Sequence, residues 1–115
     1  MDDPWVVVET ERGRTRFGPG TSVRMGRDPQ LEITIVDSVV SREHARLTWD
    51  DGWLLVDADS KNGIYVDGER RREIPVRGPV RVRLGDATEG PVVRISVEDP
   101  DATRQDVGGR WDEST

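Results

Sequence analysis

Apolar residues in this chain come in short runs separated by turn residues. Trp5-Val-Val-Val-Glu-Thr10 opens the series, Glu11-Arg12-Gly13 supplies a turn, and Arg14 to Phe17 reads as the returning strand of a hairpin. Gly18-Pro19-Gly20 breaks the pattern, Thr21-Ser-Val-Arg-Met25 alternates and stops at Gly26, and Ile33-Thr-Ile35 is a short alternating strand. Ala45-Arg-Leu-Thr-Trp49 and Trp53-Leu-Leu-Val56 flank Asp50-Asp51-Gly52, while Ile64-Tyr-Val66 runs into Asp67-Gly68. Asp-Gly readily takes the positive φ angles of a tight hairpin, so both sites predict sharp reversals. Val80-Arg-Val-Arg-Leu84 and Val92-Val-Arg-Ile-Ser-Val97 complete the pattern.

No window repeats apolar residues at helical spacing over three turns, and 12 Gly with 7 Pro interrupt every candidate helix. Many short strands at regular spacing predict an all-β sandwich or barrel. Beyond Glu98 the chain turns polar, Gly-containing and acidic, which predicts a folded domain over residues 1–98 and a flexible tail or linker over 99–115.

Composition narrows the function classes. A length of 115 residues suits one domain. With no cysteine, disulfides and thiolate metal sites are excluded. One histidine leaves the usual zinc sets without ligands, and Asp57, Asp59 and Asp67 lack calcium-loop spacing and read as turn residues; no cofactor is expected. The net charge of −6 counts against nucleic acid or an anionic membrane as partner, because such binding is mainly electrostatic. It leaves room for a small anion held by a few focused arginines. Met1-Asp-Asp-Pro-Trp5 has no basic stretch leading into an apolar one, so no signal peptide is read there. No run approaches the roughly 18 apolar residues of a membrane span, so the expected setting is cytoplasmic, without direct membrane insertion.

Three segments at strand ends carry candidate chemistry: Gly26-Arg27, Ser41-Arg42-Glu43-His44 and Ser60-Lys61-Asn62-Gly63. Arg offers a planar, always-charged fork that holds two phosphate oxygens at once. A Ser hydroxyl adds a donor of adjustable direction, and an Asn amide both donates and accepts, as a neighbouring strand would. Arg27, Ser41 and Asn62 are therefore an inventory suited to a phosphothreonine peptide, with Arg42 and Lys61 adding positive charge. Each signal alone is weak, since Asn-Gly is often only a turn. The order is more specific: Gly-Arg at a strand end, Ser-Arg-x-His about 14 residues on, then Ser-x-Asn-Gly about 18 further.

The combination resembles the forkhead-associated (FHA) family, through Ser41-Arg-Glu-His-Ala45 and Ser60-Lys-Asn-Gly-Ile-Tyr-Val-Asp-Gly68 within a core from Gly26 to Gly68, and through flanking strands from Trp5 to Val97. The final strands look like those of bacterial, actinobacterial-type members. This resemblance implies a sandwich of about eleven short strands with its binding loops at one end. It implies a non-enzymatic adaptor that binds a phosphothreonine-containing protein downstream of a Ser/Thr kinase, with a regulatory domain of a larger protein such as a transporter as one setting for it. By the same resemblance Arg27 and Ser41 contact phosphate, Arg42 reaches phosphate or peptide backbone, and Asn62 bonds the ligand backbone after the phosphothreonine. Lys61 and Ile64 depart from common family usage. Gly26, His44, Ser60 and Gly63 become scaffold for the loops. Val39, in Asp37-Ser-Val-Val40, is the candidate selector of an apolar side chain three residues after the phosphothreonine.

Two rival readings remain at this level: a phosphate-independent assembly module, and a small hydrolase using Ser41 and His44. The second lacks a third orienting group and a Gly-x-Ser-x-Gly elbow. Trp49 and Trp53 are expected to pack across the hairpin, and Arg70-Arg-Arg72 to protect a sheet edge. Thr103 in the acidic tail is a candidate modification site.

Overall fold

The period-two alternation of the apolar runs becomes a two-layer sandwich, since each strand has one face to bury. The computed structural model describes residues 4–98. The expected tail over 99–115, Thr103 within it and the first three residues lie outside the described residues. Eleven strands follow in order: β1 (Trp5–Thr10), β2 (Gly13–Phe17), β3 (Val23–Gly26), β4 (Ile33–Thr34), β5 (Ala45–Trp49), β6 (Trp53–Asp57), β7 (Ile64–Val66), β8 (Glu69–Arg71), β9 (Glu73–Val76), β10 (Val80–Leu84) and β11 (Val92–Glu98). No helix occurs among the described residues.

One sheet has six strands in the order β2-β1-β11-β10-β7-β8, and the other five in the order β4-β3-β5-β6-β9. The pairings are antiparallel except β3 with β4, which run parallel with Met25 opposite Ile33. Inward residues of both sheets form one core, including Val6, Val8, Met25, Leu47, Leu55, Ile64, Val82, Leu84 and Ile95.

Both Asp-Gly pairs turn as their chemistry predicts. Asp51 and Gly52 have φ of 60° and 153°, and Asp67 and Gly68 have 52° and 83°. The first turn sets Trp49 opposite Trp53, whose rings meet edge-on at 5.3 Å, and the Trp53 indole N–H donates to the Pro4 carbonyl at 3.0 Å. Trp5 stays partly exposed at the rim, beneath the Arg16 guanidinium.

The hydrophobic pattern alone did not mark β8 and β9. Glu69-Arg-Arg71 is wholly exposed at a sheet edge and carries no apolar signal, and Pro75 interrupts the alternation of β9 while Ile74 and Val76 still bury. Pro75 sits on an edge strand, where a missing N–H costs no ladder bond. Arg70, Arg71 and the adjoining Arg72 thus occupy the outer margin of the six-stranded sheet, a charged rim that discourages edge-to-edge pairing.

Leu55 is fully buried on β6, between β5 and β9 of the five-stranded sheet. Leu55→Ala is expected to cost about 2–5 kcal/mol through lost transfer energy and a cavity. Arg71→Ala is expected to stay within about 0.5 kcal/mol. Urea unfolding of the two variants checks the contrast.

Candidate functional site

The three segments singled out by sequence meet at one end of the sandwich. β3 ends at Gly26, whose backbone lies so close to the incoming 41–42 segment that an added Cβ would sit 2.1 Å from the Arg42 carbonyl oxygen. No other residue fits, and the contact is stitched by backbone bonds from Arg27 N–H to the Ser41 carbonyl (3.0 Å) and from Asp28 N–H to the Arg42 carbonyl (3.2 Å). The Arg27 Nε–H donates to the Val40 carbonyl, which fixes the root of the guanidinium fork.

His44 joins this loop to the next. It is completely buried, its Nδ1 accepts the Ser41 backbone N–H at 2.9 Å, and its Nε2 lies 2.7 Å from the Gly63 carbonyl. Because Nδ1 accepts, Nε2 must carry the proton and donate, which defines a neutral tautomer. Burial, aided by the nearby positive charge of Arg70, holds the imidazole below its ordinary value of 6.5, against the opposing pull of the Gly63 carbonyl and Asp57. Both ring nitrogens are committed to backbone partners, so the imidazole has no lone pair to offer the Ser41 hydroxyl.

The 57–63 loop is braced as closely. Asp57 Oδ1 accepts the Ser60 N–H at 2.9 Å, and the Ser60 hydroxyl oxygen accepts the Gly63 N–H at 2.9 Å. Asp59 and Gly63 hold φ of 59° and 88°, left-handed conformations that Asp tolerates and Gly favours. The Gly63 carbonyl also accepts the Gly85 N–H at 2.8 Å, which ties in the connection after β10.

Arg27, Ser41, Arg42, Lys61 and Asn62 are brought together. Ser41 Oγ accepts the Lys61 N–H at 3.1 Å, which leaves its own O–H free to donate outward. Asn62 Nδ2 donates to the Val39 carbonyl at 2.9 Å, leaving its side-chain oxygen and second N–H for a ligand backbone. Val39 is half-buried, and an added Cβ at Gly85 would fall 2.7 Å from its Cγ2.

Arg27, Arg42 and Lys61 are exposed, and none joins an ion pair among the described residues, whereas Arg16, Arg24 and Arg46 each hold a glutamate. The loop end therefore concentrates uncompensated positive charge in an acidic chain. No cluster of metal-ligating side chains occurs among the described residues.

Four contributors had no distinctive sequence signal. The Tyr65 hydroxyl donates to the Asn62 carbonyl at 2.8 Å, although Ile-Tyr-Val reads only as a strand. Asp57 looked like a turn residue and proves to be the brace of Ser60. Gly85 closes on Val39 from a different strand, and the Arg70 side chain covers Gly63, where an added Cβ would lie 2.4 Å from its Nε. Only the fold creates these contacts.

A family model of the FHA domain matches residues 23–87. Over 95 residues the chain is 30% identical to the ABC transporter ATP-binding/permease protein Rv1747 of Mycobacterium tuberculosis, covering 82% of this chain and 11% of that protein. The crystal structure of Mycobacterium tuberculosis Rv1747 FHA-1 superposes with a TM-score of 0.79 at 28% identity, over 84% of this chain and 98% of that one. A structure described under the structural and functional analysis of phosphothreonine-dependent FHA domain interactions aligns with a TM-score of 0.64 at 26% identity, over 83% of this chain and 96% of the other.

The His44 bridge predicts a pH dependence of stability. The imidazole titrates near 6.5 when unfolded and lower when folded, so on acidification protons bind the unfolded chain first. The stabilisation present above 6.5 is then lost as pH falls toward the folded value. Glu32, held down to about 2 by its hydrogen bonds from Arg24, titrates in a separate, more acidic window. Urea midpoints at pH 7.5 and 5.5 are expected to fall for the wild type, and to differ much less for His44→Gln.

Proposed function

This chain belongs to the FHA domain family, and from that premise we propose that it binds phosphothreonine-containing protein segments through Arg27, Ser41, Arg42, Lys61 and Asn62. The observation that carries the assignment is the convergence of three exposed, unpaired cations on a Ser hydroxyl whose proton is free to donate. A phosphothreonine brings about −1.5 to −2 charges and three acceptor oxygens. Arg27 takes two oxygens with its terminal nitrogens, since its Nε is held by the Val40 carbonyl. Ser41 donates to the third oxygen. Arg42 and Lys61 add charge, and Asn62 pairs with the peptide backbone beyond the phosphothreonine.

The domain works without turnover. The commitment of both His44 nitrogens to backbone groups removes the base that a Ser41 nucleophile needs. What the scaffold supplies is preorganisation: donors already held in place lose little freedom when the ligand arrives. The chain spans about 11% of the length of its curated transporter relative. It fits the role of a cytoplasmic module, within a larger protein of transporter or other type, that reads phosphorylation by a Ser/Thr kinase.

Specificity is assigned to Val39. Its half-buried side chain gives the loop an apolar wall where a cationic residue would favour acidic ligands, so an apolar residue three places after the phosphothreonine is preferred. An oriented phosphothreonine peptide library is expected to show that preference, and enrichment of Asp there would assign selectivity elsewhere.

Titration calorimetry tests the site itself. A phosphothreonine peptide pool is expected to bind the wild type while its unphosphorylated twin does not. Arg27→Ala is expected to weaken binding by about 2 kcal/mol or more, roughly 30-fold, the scale of a charge-assisted bond. Equal binding of both pools would identify a phosphate-independent assembly module instead.

A further inference from the structure

The outward face of the six-stranded sheet carries a second concentration of positive charge, remote from the phosphopeptide loops. Val6 and Val8 of β1 point into the core, so Trp5, Val7 and Glu9 point out, and the register assigns the same side to Arg14 and Arg16, to Arg81 and Arg83, and to Arg94, Ser96 and Glu98. Arginines thus dominate the strand positions of this face, where Glu9 and Glu98 are the carboxylates, while Asp67 borders it beside Arg81 and Arg83, and Glu11 and Glu89 border it beside Arg83 and Arg94.

Arg81 and Arg94 stand directly opposite each other on β10 and β11. Like charges in register repel and weaken a sheet. The other sheet contains the same opposition and resolves it: Arg24 faces Arg46, but Arg24 pairs with Glu32 at 3.1 Å and Arg46 pairs with Glu43. On the six-stranded sheet Arg16 pairs with Glu98 and Arg83 donates to the Gly90 carbonyl, whereas Arg14, Arg81 and Arg94 join no ion pair among the described residues, although Glu9 neighbours both Arg14 and Arg94 in register. These three arginines, with Val7, Glu9 and Pro79, line a groove of about 360 Å³. Val7 forms its floor and is nearly buried although it faces outward.

We infer that this groove is a second docking surface, separate from the phosphothreonine site, for an acidic, unphosphorylated segment of a partner protein lying extended across β1, β10 and β11. Three uncompensated guanidinium forks match carboxylates, each able to take a bidentate partner. In an extended segment, alternate residues face one side about 7 Å apart, a spacing that side chains on neighbouring strands can reach. A short acidic segment also fits the confined extent of the charge. A duplex or a membrane would reach past this patch onto the acidic remainder of the surface and be repelled there. Arg81 lies three residues before Leu84, about 10 Å from the end of β10 that meets the phosphopeptide loops, so both sites can be filled together.

The test is an amide and arginine-Nε NMR titration of the full chain with an unphosphorylated twelve-residue peptide of alternating Glu and Ser. The same peptide with Gln for Glu, a twelve-base-pair duplex DNA and phosphatidylserine vesicles form separate arms. Shifts are expected at Arg14, Arg81, Arg94 and Ser96 with the acidic peptide and not with its Gln counterpart. Arg81→Gln with Arg94→Gln is expected to weaken binding at least 10-fold, Arg81→Gln alone about threefold, and Arg27→Ala not at all, with a phosphothreonine peptide failing to compete. Absence of shifts in the wild type, shifts centred on Arg27, Ser41 and Lys61, or occupation of the face by duplex or vesicles in preference to the peptide would overturn the inference.

Discussion

The binding end of this domain depends on one buried imidazole. His44 accepts a backbone N–H from the Ser41 loop with one nitrogen and donates to the Gly63 carbonyl with the other, so a single side chain sets the distance between two loops far apart in sequence. A buried polar group is tolerated only when its bonds are made. Here making them is what places the loops that carry Ser41, Lys61 and Asn62 beside one another. Gly26 supplies the complementary constraint, letting β3 approach the 41–42 segment closely enough for the Arg27 backbone N–H to donate to the Ser41 carbonyl. Tyr65, Asp57 and Ser60 then fix the backbone on either side of Lys61 and Asn62.

This division of labour separates stability from recognition. Groups that hold the loops spend their hydrogen bonds on backbone partners and are buried or half-buried. Groups that face a ligand keep donors in reserve: the terminal nitrogens of Arg27, the Ser41 hydroxyl proton and part of the Asn62 amide. The same bond that makes His44 a brace disqualifies it as a base, so the Ser-His proximity that suggests a nucleophile in sequence acquires another meaning in three dimensions.

Charge follows a similar logic. The acidic chain keeps nonspecific polyanions away, while Arg27, Arg42 and Lys61 stand exposed and without an ion pair at the loop end. Arg24 and Arg46, opposite each other in the five-stranded sheet, each have their own glutamate.

Alternating apolar residues and two Asp-Gly pairs determined an all-β fold, sandwich or barrel, with defined hairpins, because strand period and turn chemistry are local properties of the backbone; the resemblance to the FHA family narrowed it to a sandwich. The order of Gly26-Arg27, Ser41-Arg-x-His44 and Ser60-x-Asn62-Gly63 was likewise enough to single out three segments that the fold brings together at one end, since their side-chain chemistry is a matter of identity. The strand Glu69–Arg71 escaped the pattern because it has no buried face, and β9 because Pro75 argues against a strand although Ile74 and Val76 are buried. Tertiary structure alone decided that Gly85 closes on Val39, that Arg70 covers Gly63, that Tyr65 holds Asn62, and that Arg81 opposes Arg94 without a carboxylate between them. Each of these is a contact between residues distant in the chain or set by strand register, and neither distance in space nor register is written in the local pattern.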